Sequence, residues 1–127
     1  MSKQQFLAEN QLEGEIYAGL ILGKNGVPDY HLFLRPEKPE KTLSWADAMA
    51  WAKSIGYELP TRRDARLLTI NCYDSFDVDK WYWTSTHDAH DDGYAWMQVF
   101  DNCTQYTTRQ SDTGSARAVR RVYLEKT

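Results

Sequence analysis

The sequence has few cysteines, no long apolar run and no excess of basic residues, and each absence excludes a class of protein. Only two cysteines, Cys72 and Cys103, occur in 127 residues, which excludes a disulfide-stapled scaffold. Both are expected to be free, with a single bridge between them left open. No stretch holds the roughly 18 apolar residues that a membrane span requires. The 15 Lys and Arg against 18 Asp and Glu give a formal charge of −3, which argues against a nucleic-acid partner.

The length of the chain predicts one domain. At 127 residues, a single core can bury about two thirds of the surface that the unfolded chain exposes. Residues 1–14 are polar and are predicted to form a loosely packed N-terminal segment, and residues 15–127 are predicted to form the domain. The first residues carry no apolar signal-peptide segment, which favours a soluble, cytosolic protein.

Local patterns predict a β-hairpin followed by two helices. Residues 15–22 and 30–34 are apolar strand sequences joined by a glycine-containing turn. Ser44 and Thr61 are predicted N-caps, because each precedes an apolar helical stripe and is followed three residues later by an aspartate. The stripes are Trp45, Ala48, Met49, Ala52 and Ile55 in the first helix, and Ala65, Leu67, Leu68 and Ile70 in the second.

Two aromatic strands with a charged loop between them are the most distinctive part of the chain. Residues 81–86 and 94–100 are rich in aromatic and β-branched side chains, and residues 87–93 are strongly polar. Because strand side chains alternate between two faces, the small and flexible ones of 94–100 are predicted to pack inward. The broader ones then form an outward recognition surface, although the same rings also suit a core. The outward set is Tyr94, Trp96, Gln98 and Phe100.

The remaining segments predict two further strands and a basic helix start. Residues 103–108 and 116–124 have strand composition, and the last strand is predicted to pair near the amino end. The adjacent Arg120 and Arg121 break its alternation, which predicts a bulge or a sheet edge. Three arginines near the start of the second helix, Arg62, Arg63 and Arg66, oppose the helix dipole, so carboxylate partners or a functional role are expected.

Four short phrases in a fixed order carry a family resemblance. They are Glu-Leu-Pro-Thr-Arg-Arg at 58–63, Tyr-Trp-Thr-Ser-Thr at 82–86, Tyr-Ala-Trp-Met-Gln-Val-Phe at 94–100 and Arg-Ala-Val-Arg-Arg at 117–121. This ordered set resembles the Lcl C-terminal-domain-like family of unknown function, whose small members are common in bacteriophages and prophages. Each phrase alone is weak, and the order of the four makes the resemblance specific.

The resemblance implies an α+β domain with the C-type lectin-like fold. Two helices would pack on a small, twisted antiparallel sheet whose first and last strands are neighbours, with a long loop region after the second helix. Residues 81–110 would form a display surface. The Glu-Pro-Asn and Trp-Asn-Asp triplets of calcium-dependent lectins do not occur in this chain, and Cys72 and Cys103 do not match the reactive pair of formylglycine-generating enzymes. The phage context implies the bacterial cytoplasm, or association with the virion.

These observations together predict a non-enzymatic binding module without catalytic residue, metal or cofactor. A protein is the favoured partner and a glycan the second choice, with no membrane partner and an oligomeric state that the sequence does not define. Tyr and Trp suit such a surface because they supply large contact area with few rotatable bonds. The predicted ligand-binding residues are Trp83, His87, His90, Tyr94, Trp96, Gln98, Asn102, Gln105 and Tyr106.

Two other classes of function stay open. A metal-dependent or redox enzyme could use Cys103, or the loop from His87 to Asp92, which places imidazoles and carboxylates close together. Alternatively, the chain could inhibit a host defence factor or bind nucleic acid through an arginine cluster. That cluster comprises Arg62, Arg63, Arg66, Arg117, Arg120 and Arg121.

Overall fold

The computed structural model describes residues 2–124 and confirms an α+β domain. Met1 and residues 125–127, which belong to the predicted N-terminal segment and domain, lie outside the described residues. The helices are α1 (Lys3–Asn10), α2 (Trp45–Ser54) and α3 (Arg62–Asn71), followed by a 3-10 helix at Tyr73–Ser75. The strands are β1 (Ile16–Ile21), β2 (Tyr30–Leu34), β3 (Trp81–His87), β4 (Tyr94–Val99), β5 (Gln105–Arg109) and β6 (Val119–Tyr123).

Strands β1, β2 and β6 form an antiparallel sheet with β2 in the centre. The predicted hairpin is confirmed, and β2 has the predicted bounds. The last strand returns to this sheet but pairs with β2, where Val119 lies opposite Leu34. The first and last strands therefore flank β2. The resemblance implied that they are neighbours, and this prediction is wrong. Strand β6 is a regular edge strand, and the irregular position lies instead in β1, between Tyr17 and Gly19.

Strands β3, β4 and β5 form a second antiparallel sheet with β4 in the centre. The single sheet of the prediction is thus two three-stranded sheets. The pairing of β3 with β4 shifts between Trp83 and His87, so the end of β3 bulges out of the ladder. A backbone bridge from Tyr82 to Ser115 connects this sheet to the segment that leads into β6.

Capping residues define where the two central helices begin. The Ser44 hydroxyl accepts a hydrogen bond from the Asp47 N–H at 3.3 Å, and the Thr61 hydroxyl accepts one from the Asp64 N–H at 3.1 Å. The Asp64 carboxylate accepts in return from the Thr61 N–H at 2.9 Å, which completes a capping box. Both predicted N-caps are confirmed. Gly56, with φ of 84°, follows the end of α2, in the position where a left-handed glycine commonly ends a helix.

Most of residues 1–14 forms helix α1, which the sequence did not predict, although no residue of this helix is fully buried. Ser2 and Gln5 form a capping box: the Gln5 N–H donates to Ser2 Oγ at 3.1 Å, and the Ser2 N–H donates to Gln5 Oε1 at 3.0 Å. The Phe6 ring anchors the helix on the first sheet, with its centroid 3.9 Å from that of His31. Because residues 1–14 are mostly polar, their composition does not indicate that the Phe6 ring packs on the sheet.

Two buried clusters stabilise the domain. Burial confirms most of the helical stripes, but Ile70 is 73% exposed and Met49 is 36% exposed. At 3.6 residues per turn, Ile70 lies about 200° around the helix from the buried Leu68, so it points away from the core. One buried cluster contains Leu32, Leu34, Leu68, Phe76, Tyr82 and Phe100, and the other contains Ala48, Ala52, Leu59, Trp83, Ala95 and Ala118.

Within residues 2–124, no helix has the length and apolar character that a membrane span needs.

Candidate binding face

Strand pairing assigns the side chains of the second sheet to two faces. Residues opposite each other in an antiparallel pair share a face. The predicted inward and outward sets of β4 do lie on different faces, but another element covers part of each face: α2 packs on one and α3 on the other. The α2 face carries Trp83, Ala95, Met97 and Tyr106, and the α3 face carries Tyr82, Tyr94, Trp96, Gln98, Gln105, Thr107 and Arg109.

Trp83, predicted to contact a ligand, is a core residue. Its side chain is fully buried in the cluster beneath α2, and its Nε1 donates to the Leu43 carbonyl at 2.8 Å. The Trp81 ring packs against it edge to face, with centroids 4.9 Å apart. The prediction failed because alternation shows which side chains share a face of a strand but not which face a helix covers.

Gln98 and Gln105, also predicted to be displayed, form a buried amide network beneath α3. Gln98 is 1% exposed and Gln105 is 8% exposed. Gln105 Nε2 donates to Gln98 Oε1 at 2.9 Å and to the Arg62 carbonyl at 2.8 Å. Gln98 Nε2 donates to the Val99 carbonyl at 3.0 Å. These amides are satisfied internally, so they position the start of α3 on the sheet and are not free to bind a partner.

Trp96 remains at the surface, where Arg62 stacks on its ring. The guanidinium carbon of Arg62 lies 3.5 Å from the ring centroid, and Arg62 Nε donates to Gln105 Oε1 at 2.9 Å. The carboxylate partners predicted for Arg62, Arg63 and Arg66 are not found among the described residues. Burial, followed by repulsion from Arg66, lowers the pKa of Arg62. A nearby anion would relieve that repulsion.

Tyr94 and Arg109 extend this surface along the sheet. They lie opposite each other in the β4–β5 pair, and Arg109 Nε donates to the Tyr94 hydroxyl at 3.5 Å. That hydrogen bond is the main reason that the pKa of Arg109 is raised. Thr107 lies opposite Trp96. We call the surface formed by Arg62, Tyr94, Trp96, Thr107 and Arg109 the binding face.

The other predicted ligand-binding residues do not join the binding face. Tyr106 is 45% exposed but lies on the α2 face, where its hydroxyl accepts a hydrogen bond from Asn102 Nδ2 at 3.3 Å. His87 is the last residue of β3 and His90 lies in the loop after it, and both side chains are exposed. The predicted set is therefore divided between the core, the amide network and two separate surfaces. Sequence reasoning missed Arg62 as part of the site, although its position at a basic helix start was a signal.

The histidine and aspartate loop does not bring metal ligands together. Among the described residues, no group of three or more His, Cys, Asp or Glu side chains has a geometry that could hold a metal ion. Asp88 and Asp91 instead accept hydrogen bonds from the His90 and Gly93 N–H groups, at 2.9 and 3.2 Å. These contacts are typical of side chains that stabilise turns.

The two cysteines are free, and they differ in environment. Cys103 is exposed and lies in the turn before β5, with φ of 57°. Cys72 is buried, and burial raises its pKa to about 11. A buried thiol with a raised pKa is a poor nucleophile, because the reactive form is the thiolate.

The arginine cluster proposed for nucleic acid does not form one exposed surface. Arg117 is buried, Arg120 pairs with Glu15, and Arg121 pairs with Asp64. These three arginines are therefore held by contacts inside the fold, which contradicts the expectation of a single basic face.

Comparison with known proteins provides no family assignment. No protein-family model matches the sequence, and no curated protein is significantly similar to it.

Proposed function

We propose that this chain is a non-enzymatic binding module that recognises a protein partner through the binding face. The stack of Arg62 on Trp96 carries the proposal. The ring and the Gln105 amide hold the guanidinium in place, so its remaining N–H donors are oriented before a partner arrives. Binding then costs little further side-chain entropy.

The chemistry of the binding face favours an acidic protein surface. An arginine without a carboxylate partner can donate two parallel hydrogen bonds to an aspartate or glutamate of the partner. Tyr94 and Trp96 are half-buried and add rigid contact area, and tyrosine, tryptophan and arginine are the residues most enriched at interface hot spots. Because Arg62 covers one face of the Trp96 ring, that face is not open to a sugar ring. A glycan is therefore the second candidate.

The proposal also includes a protein family and a cellular location. The ordered phrases support membership of the Lcl C-terminal-domain-like family with a C-type lectin-like fold, and the α+β element order is compatible with it. On that basis we expect a phage or prophage accessory protein that meets a bacterial protein in the host cytoplasm, or a partner at the virion.

The proposal can be tested by capture from a bacterial lysate with matched variants. Trp96→Ala and Arg62→Ala each remove one half of the stack, and Tyr106→Ala removes an exposed ring from the opposite face of the same sheet. Circular dichroism establishes first that all variants are folded. We expect a protein that wild type and Tyr106→Ala retain and that the other two lose. Equal capture by all four proteins contradicts the proposal.

A glycan array with the same four proteins separates the second candidate. Sugar binding that requires Trp96 but not Arg62 would identify a glycan as the partner in place of a protein, because a sugar ring can stack on Trp96 without the guanidinium. Binding of an acidic protein instead requires both residues and weakens with salt.

A further inference from the structure

A second surface feature is a cavity beside the 3-10 helix, which shares no lining residue with the binding face. It has a volume of about 410 Å³, within the range of small-molecule sites. Its wall combines the loop before α2, the 3-10 helix region and the segment that leads into β6. The lining side chains used below are Lys38, Lys41, Ser75, Phe76, Lys80 and Arg117.

Arg117 is the only buried charged residue in the described lining of this cavity. It is 5% exposed, and its guanidinium donates to the Ser75 carbonyl at 2.7 Å and to the Arg35 carbonyl at 3.0 Å. The Phe76 ring lies alongside, with its centroid 5.2 Å from the guanidinium carbon. Within residues 2–124, its Nε is the one enclosed side-chain polar atom without a hydrogen-bond partner.

The charge of Arg117 has no carboxylate to balance it among the described residues. The neighbouring Glu37 is already engaged, since Arg35 Nε and Nη2 bind its two oxygens at 3.1 and 2.8 Å. The two hydrogen bonds that Arg117 does make are to neutral carbonyl groups. A buried cation in this state is costly unless an anion compensates it.

The rim of the cavity has nearly balanced charges. Lys80 pairs with Asp77 at 3.2 Å, and the same lining contains two further lysines, Lys38 and Lys41, and two further acidic residues, Glu40 and Asp74. All of these are exposed, so water and salt screen them. Arg117 is screened much less, and it therefore determines the sign of ligand that the cavity favours.

We propose that this cavity binds a small oxyanion, a phosphate or a carboxylate group, with Arg117 as the buried cation and Lys38 and Lys41 as rim cations. An arginine suits both groups, because its planar N–H edge matches their oxygen geometry. The ligand would be a small molecule that carries such a group, since the cavity holds more than the anion alone.

The test is an NMR titration of the full-length protein with inorganic phosphate and, separately, with malonate, at constant ionic strength set by sodium chloride. We expect saturable amide shifts at Ser75, Phe76 and Ser115, and no comparable shifts along β1. A stronger response to phosphate identifies phosphate ligands, and a stronger response to malonate identifies carboxylates. Shifts that are linear with concentration, or spread over all exposed lysines, overturn the proposal.

Variants test which charge is responsible. Arg117→Met keeps the length and apolar stem of the side chain but removes its charge, and should weaken the apparent Kd by about tenfold or more. The double change Lys38→Gln and Lys41→Gln leaves the core intact and should weaken it about threefold. Lys24→Gln, an exposed lysine in the turn of the first hairpin, is the control and should have no effect. If Arg117→Met does not fold, the rim variants decide: equal affinity in the double variant and the control contradicts the proposal.

Discussion

The two sheets of this domain are connected to the rest of the molecule by different polar chemistry. The first sheet has buried ion pairs: Glu15 is fully buried and pairs with Arg35 at 3.0 Å and with Arg120 at 2.7 Å. Beneath α3, the second sheet uses the neutral amides of Gln98 and Gln105. Ionic contacts respond to pH and leave a charged group uncompensated when broken, whereas amide contacts do neither.

The same contrast separates two kinds of arginine. Arg35, Arg120 and Arg121 meet buried carboxylates, so their charge is neutralised inside the fold. Arg62 meets a ring and an amide, and Arg117 meets two carbonyl groups, so the charge of each is still available to an external anion. The internal partner of an arginine, more than its exposure, thus separates the three arginines that are paired inside the fold from the two that we propose as anion-binding residues.

The largest effect is expected at Asp64, where the ionic contacts converge. Asp64 is fully buried and accepts hydrogen bonds from the Tyr30 hydroxyl and from Arg121, each at 2.5 Å, as well as from the Thr61 N–H. Asp64→Ala leaves Arg121 with only the exposed Glu58 as a carboxylate partner and removes the α3 capping box, so it should lower the free energy of unfolding by about 3–5 kcal/mol. Urea denaturation measures this.

An exposed aspartate provides the matched control for that measurement. Asp79→Ala, in the loop before β3, should change the free energy of unfolding by less than about 0.5 kcal/mol. A loss below about 1 kcal/mol for Asp64→Ala would mean that the buried ionic contacts do not stabilise the first sheet.

A smaller and pH-dependent effect is expected at Glu15. Burial alone would raise its pKa, but hydrogen bonds from Arg120, the Leu12 N–H and Arg35 together outweigh burial and lower it below the ordinary 4.5. The folded protein therefore holds the carboxylate more strongly than the unfolded chain. Its stabilising contribution is complete above about pH 4.5 and is lost as pH falls through the lowered value. Glu15→Gln should cost about 2 kcal/mol at pH 7 and flatten the acid limb of the stability profile.

Glu37→Gln is the control for the acid limb, because Glu37 binds the same Arg35 from a more exposed position. The hydrogen bond from Arg35 lowers the pKa of Glu37 as well, so the pKa values of both carboxylates are shifted in the same direction. Solvent screening should make the Glu37 contribution the smaller one. Thermal unfolding between pH 3 and 7 compares the two, and an equal flattening by both variants would show that burial of the Glu15 pair has no added effect.

Local signals in the sequence were sufficient for much of the fold. The N-caps Ser44 and Thr61 and the β2 strand were predicted correctly, because capping and apolar patterning act over a few neighbouring residues. Helix α1 was missed, because its anchor depends on the contact between Phe6 and His31, which lie far apart in the chain. The Glu15–Arg120 pair spans 105 positions, and no local pattern indicates it.

The candidate site was predicted less well, for a related reason. Trp96 and Tyr94 were identified from strand alternation and do remain near the surface. Trp83 and Gln98 were assigned to the same surface but are covered by α2 and α3, and the packing of those helices is not encoded in strand periodicity. Arg62 was recognised as unusual, but only the structure shows that its partner is the Trp96 ring. The family resemblance stays a prediction.

The smallest of these effects is expected in the amide network. Gln105→Ala leaves Gln98 Oε1 and the Arg62 carbonyl without their donor, so it should cost about 1–2 kcal/mol with no dependence on pH between 3 and 7. It also removes the acceptor that holds Arg62 Nε, which should weaken partner capture through the binding face although no contacting side chain is changed. Gln4→Ala, at an exposed position of α1, is the matched control and should alter neither. A Gln105→Ala variant that loses stability only at low pH would show that the second sheet, too, depends on charge, and the distinction between the two sheets would fail.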